Sequence, residues 1–143
     1  LGKVAEHGSG KSLSICGIIP PVQLQQLFSA LADNRSTVRM DAEGIGMADA
    51  GCTMLSELLL KNKRIAEIDL QLNQITDAGA CVLANAIPGS GVREIHLGNN
   101  DIKEKGVKAL IAAEKKQRAL TGIPTKVLGL DKDLVAKCKG AGL

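Results

Sequence analysis

Apolar residues in this chain switch between two spacings, and the switch recurs. In Ile65-x-x-Ile68-x-Leu70-x-x-Asn73-x-Ile75-x-x-x-Gly79-x-x-x-Leu83, Ile68 and Leu70 are two apart. That alternation turns both side chains to one side of a short strand. From Asp77 onward the spacing becomes helical, with Ala80, Leu83, Ala84 and Ile87 on one face. Thr76 or Asp77 can cap this helix, and Pro88-Gly89-Ser90-Gly91 ends it. Asn73 falls where the strand turns away, so its amide can serve backbone groups that lack partners.

Adding 27 to these positions gives Val92, Ile95, Leu97, Asn100, Ile102, Gly106 and Leu110, each of the same chemical type. Moving back by 28 gives a looser copy, Met40, Ala42, Ile45, Met47, Gly51, Leu55 and Leu59, with Ile45 in the asparagine slot. Leu13 and Ile15, then Leu24, Leu27 and Leu31, trace a blurred earlier copy. Gly79 and Gly106 lie early in helices, where a side chain would obstruct close packing. One unit cannot bury its own apolar face, so the units must stack into a solenoid. The spacing predicts a flexible lead-in over 1–12 and one domain over 13–143. Its repeats are expected at about 13–36, 37–64, 65–91 and 92–120, with a C-terminal cap over 121–143. Within the cap, a strand is predicted over 126–130 and a short helix, capped by Asp131, through Cys138. Lys139 to Leu143 should be mobile.

The pattern LxxLxLxxNxI-x(3)-G-x(3)-L at this period resembles the leucine-rich repeat of the ribonuclease-inhibitor subtype. That subtype occurs in ribonuclease inhibitor, Ran GTPase-activating protein, NOD-like receptors and tropomodulin. The run Leu60 to Leu70 is similar to the repeat junctions of those proteins, and the likeness is good over about 37–113. It implies an α/β leucine-rich-repeat solenoid, a short right-handed βα horseshoe with parallel strands on the concave face and helices outside. It also implies a protein-binding or scaffold module of a larger assembly. Regulation of a small GTPase, or actin and cytoskeleton binding, are alternatives from the same resemblance.

Composition narrows the chemistry. The chain has one Phe, no Trp and no Tyr, so its core must be aliphatic and no stacking platform for bases exists. No apolar run approaches the ~20 residues of a membrane helix. Residues 1–100 hold 8 basic and 10 acidic side chains, whereas 101–143 hold 10 and 5. Those later lysines are scattered, as on a solvated surface, and nucleic acid is not an expected partner. Cys16, Cys52, Cys81 and Cys138 have no zinc or redox spacing and read as small buried hydrophobes of a reducing, intracellular and cytoplasmic setting. The chain opens on Leu1, as if drawn from a longer or processed precursor.

Ala5-Glu6-His7-Gly8-Ser9-Gly10-Lys11-Ser12 matches a relaxed phosphate-binding loop. Such a loop needs a helix directly behind it, and Pro20-Pro21 closes a strand-like stretch instead. His7 and His96 are the only histidines, and no catalytic cluster can be assembled around them. Asp41, Asp69 and His96 occupy equivalent slots, but strands ~4.8 Å apart spread ligands along a row rather than around an ion. Hence no enzyme activity, cofactor, metal or small-molecule site is expected. What remains is the row between the buried strand positions: Arg39, Asp41 and Glu43; Glu67, Asp69 and Gln71; Glu94, His96 and Gly98. This acidic strand face is the predicted contact surface for another protein, one with a basic segment.

Overall fold

Six strands lie in chain order in one sheet: β1 (Lys3–His7), β2 (Gly10–Ser14), β3 (Thr37–Asp41), β4 (Glu67–Asp69), β5 (Glu94–His96) and β6 (Lys126–Leu128). Helices α1 (Pro21–Leu31), α2 (Ala48–Lys61), α3 (Asp77–Ala86), α4 (Glu104–Thr121) and α5 (Lys132–Gly140) follow the last five strands in turn. The structure, a computed structural model, describes residues 3–7 and 10–140, with side chains from residue 10 onward. β1 and β2 are antiparallel; every later pair is parallel. Helices pack on neighbouring helices, strands on strands, and the aliphatic core fills the space between the layers.

The two sequence periods account for this layering. Met40, Ile68 and Ile95 are in register at the strand centres and point inward. Leu55, Leu59, Leu83 and Leu110 meet them from the helices and are fully buried. Each such side chain contributes about 1.5–3 kcal/mol on leaving water. Phe28, the one aromatic, is buried in α1.

Asparagine side chains lock one unit to the unit before it. Asn73 is fully buried, and its Oδ1 accepts from the Ile45 N–H (3.0 Å) and the Met47 N–H (3.1 Å). Its Nδ2 donates to the carbonyls of Ala42 (2.8 Å) and Gln71 (3.1 Å). Asn100 repeats this one unit later, accepting from the Asn73 and Ile75 amides and donating to the Leu70 carbonyl. The carbonyls and amides that a strand exposes on turning outward are thereby paired, as burial demands. Ile45 cannot do the same for the first unit, which is held there by main-chain bonds, Ile15 N–H to Asp41 O and Ile19 N–H to Ile45 O.

A parallel device operates at the helix starts. Asp49 reaches into the next unit, where it accepts from the Thr76 hydroxyl (2.6 Å) and the amides of Thr76 (2.8 Å) and Gly79 (3.1 Å). Asp77 in turn accepts from the amides of Lys103 (2.7 Å) and Gly106 (3.0 Å). Each aspartate thus caps its neighbour's helix, where negative charge also suits the dipole. It follows why glycine stands at 79 and 106: a Cβ at Gly106 would lie 2.6 Å from Asp77 Oδ1, and one at Gly79 would strike Asp49 Oδ1. Partial burial pushes the Asp49 pKa upward, but the three donated hydrogen bonds outweigh this and leave it below the ordinary value. Beside it, burial and the Asp49 charge push the Cys52 thiol up to about 12, so it stays protonated.

On the opposite rim, buried Asn62 donates to the carbonyls of Leu31 (2.8 Å) and Asn34 (2.9 Å). Gln117 there accepts from the Gly89 amide (2.7 Å) and donates to the Ser90 carbonyl (3.0 Å). Among the described residues, no buried side-chain polar atom is left without a partner.

In the segment over 1–12, residues 3–7 form β1 and pair antiparallel with β2, which satisfies the backbone at that end of the sheet. Other expectations are corrected. Gly8 and Ser9 of the phosphate-loop-like run lie outside the described residues, and Gly10, Lys11 and Ser12 lie in β2 with no helix directly behind them. Cys16 is exposed just past β2, unlike buried Cys52 and Cys138, and Cys81 is half-buried. Lys139 and Gly140 continue α5 rather than a loose tail, and residues 141–143 lie outside the described residues.

Two predictions follow from these inter-unit bonds. Asn73→Ala is expected to cost about 2–4 kcal/mol in urea unfolding, since it strands buried backbone groups. Asp49→Asn is expected to cost about 1 kcal/mol at neutral pH. A carboxylate with a lowered folded-state pKa adds stability above its unfolded value, near 3.8, and loses it as pH falls through the lower folded value. The gap between the two proteins should therefore close in acid; a gap constant with pH would contradict this account.

Candidate functional site

Strand register sets the geometry of the exposed face. One row runs Ser12, Arg39, Glu67, Glu94, Lys126; the next runs Ser14, Asp41, Asp69, His96, Leu128. Side chains in these rows alternate with the buried strand centres and so point away from the helices. The predicted residues Arg39, Asp41, Glu67, Asp69, Glu94 and His96 therefore stand side by side. Glu43 and Gln71 follow at the strand ends. Sequence reasoning missed the outer members of both rows, Ser12, Ser14, Lys126 and Leu128; Lys126 and Leu128 were legible as strand positions of the cap but were not carried onto the face.

The face is less uniformly acidic than the residue types suggest. Arg39 Nη1 lies 2.8 Å from Glu67 Oε2, and His96 Nε2 lies 2.6 Å from Glu94 Oε1. The Arg39–Glu67 pair is about half exposed, so it contributes little to stability. Its effect is to remove Glu67 from the free charge of the surface. Gln71 is likewise engaged, donating from Nε2 to both Asp69 oxygens (3.1 Å each) while its N–H donates to Asp69 Oδ1 (3.0 Å).

Asp41, Glu43 and Asp69 remain as carboxylates without a cationic neighbour among the described residues. One oxygen from each lies within 4.8 Å of the others. Equivalent slots alone would spread out as expected, with His96 held at Glu94. The convergence comes from Glu43, which lies past the strand end, where its N–H donates to Asp41 Oδ1 (3.3 Å). No histidine or cysteine joins this cluster among the described residues. Three like charges so close favour a cationic group arriving from outside.

The turn beyond the cluster carries a further oddity. Gly17, Gly44, Leu72 and Asn99 occupy equivalent places with φ of +82°, +65°, +58° and +56°. This left-handed geometry turns the amide toward the next unit: Gly44 N–H donates to Gln71 O (3.0 Å) and Leu72 N–H to Gly98 O (3.1 Å). Leucine is costly there, and this one is 51% exposed. Its side chain lines an open surface depression with Gln74, Thr76, Asn99, Asn100 and Asp101.

Comparison with known proteins agrees with the repeat. A family model described as Leucine Rich repeat matches residues 62–84 and 92–111. A human protein, "NACHT, LRR and PYD domains-containing protein 13", is 32% identical over 110 residues, covering 76% of this chain and 10% of that protein. The chain thus spans about a tenth of the length of that relative. No helix among the described residues is long and apolar enough to cross a membrane.

Leu72→Asn is expected to raise stability by about 0.5–1 kcal/mol, because asparagine tolerates the left-handed geometry and no buried contact is lost. Thermal or urea unfolding checks this, and a destabilised variant would show that Leu72 is held by packing.

Proposed function

Since the chain is built of leucine-rich repeats, we propose that it is a non-enzymatic protein-binding or scaffold module that receives a basic segment of another protein on its strand face. Stacked repeats of this type present extended surfaces for protein contacts. The observation that carries the reading is the cluster of Asp41, Glu43 and Asp69, three carboxylates close together and without cationic partners among the described residues. Arg39, Glu67, Gln71, Glu94 and His96 frame the cluster, their side chains already engaged with one another or with Asp69. A lysine or arginine from a partner would enter where charge is least compensated. Because inter-unit hydrogen bonds hold the strands, little ordering entropy is lost on contact. Free thiols throughout the chain suit a reducing, intracellular setting, which forms part of the same proposal.

Binding of a fluorescein-labelled lysine- and arginine-rich peptide to the whole chain tests the proposal by anisotropy. The combined change Asp41→Asn, Glu43→Gln, Asp69→Asn should weaken binding about tenfold or more at low salt. Glu67→Gln with Glu94→Gln should change it only about two- to threefold, because those carboxylates are already paired. Equal effects from both sets would move the site off the cluster. Acceleration of GTP hydrolysis by a small GTPase would overturn the non-enzymatic part.

A further inference from the structure

The rim formed by the helix-to-strand turns carries the opposite charge. Arg35, Lys63, Arg64 and Arg93 are all exposed there. Two of these cations are held by main-chain carbonyls: Lys63 Nζ donates to Gly89 O (3.0 Å) and Arg64 Nε to Arg35 O (3.2 Å). Among the described residues no carboxylate pairs with Lys63, Arg64 or Arg93. The acidic residues closest to them along the strands, Glu67 and Glu94, are taken by Arg39 and His96. Positive charge is therefore left without a paired carboxylate among the described residues, and two of the cations are held in place by main-chain carbonyls.

An open groove of about 460 Å³ runs between these cations. Val38, Ala66 and Gly91 line it together with Ile123, an isoleucine 48% exposed. We propose that this groove is a second docking site, for an acidic peptide segment of a partner protein that carries an aliphatic side chain among its carboxylates. The Arg64 and Arg93 guanidinium groups can each grip a carboxylate through paired N–H donors, and the aliphatic lining can accept the apolar side chain. Nucleic acid fits less well. The lining offers no aromatic ring for stacking, the one Phe being buried in α1. The site is separate from the strand-face cluster, so each stands or falls without the other.

The test uses the whole chain and a fluorescein-labelled octapeptide of glutamates around two central leucines, followed by anisotropy. Saturable, salt-sensitive binding is expected. Arg64→Glu with Arg93→Glu should weaken it about tenfold or more, and Ile123→Ser by about threefold. Arg93→Glu alone guards against misfolding, since the Arg93 side chain makes no hydrogen bond or ion pair among the described residues, and it should still weaken binding severalfold. Asp41→Asn with Asp69→Asn should leave the affinity unchanged. The proposal is overturned by any of several results: no saturable binding, indifference to Arg93→Glu, or equal affinity for an all-glutamate peptide. Tighter binding of polyuridylate RNA, or concentration-dependent self-association abolished by Arg93→Glu, would also overturn it and assign the groove to RNA or to a second copy of the chain.

Discussion

The buried amide of Asn73 is the join on which the stacked units depend. A strand that must turn outward into a helix leaves carbonyls and amides facing the core, and the helix layer cannot supply partners for them. Asn73 serves the unit before it and is itself held by Asn100 of the unit after it. Because the join sits directly behind the strand ends, it fixes the register that sets Asp41 beside Asp69. Where the slot holds Ile45, the chain turns to another solution, in which main-chain bonds and the hairpin close the end of the sheet.

Much of this was legible in the sequence, for a physical reason. Strand and helix periods are local, so Ile68, Leu70, Leu83 and their copies announce themselves within a dozen residues. The resulting solenoid, with five parallel strands alternating with helices, is what the structure contains. The aspartates were harder. Asp77 looked like a cap for its own helix, yet its carboxylate serves Lys103 and Gly106. Asp49, Asn62 and Gln117 likewise act on the neighbouring unit, and no local pattern marks such a role. A clue lay in Gly79 and Gly106, whose missing side chains make room for those carboxylates.

The face was legible in position and misleading in charge. Equal spacing put Asp41, Asp69 and His96 in one row, but which charges cancel depends on rotamers that spacing does not determine. Arg39 pairs with Glu67 and His96 hydrogen-bonds to Glu94, whereas Asp41, Glu43 and Asp69 lie close together with no cationic neighbour among the described residues. The basic groove has a similar origin. Arg35, Lys63, Arg64 and Arg93 all lie in the turns that lead from a helix into the next strand, so they gather on one rim, and no carboxylate pairs with Lys63, Arg64 or Arg93 among the described residues. A single rigid frame therefore carries opposite charge at two separate places, and partner chemistry follows from which of them is touched.

The most direct measurement is a ¹⁵N-resolved NMR titration of the whole chain with a lysine- and arginine-rich peptide. If the joined units present Asp41, Glu43 and Asp69 as a ready-made site, shifts will concentrate at those residues and at Gln71 and Leu72. The buried Ile45, Met47 and Ile75 amides will stay still. Shifts spread through those amides would show a frame that rearranges to bind. Shifts confined to the helices would place the contact elsewhere and contradict the account.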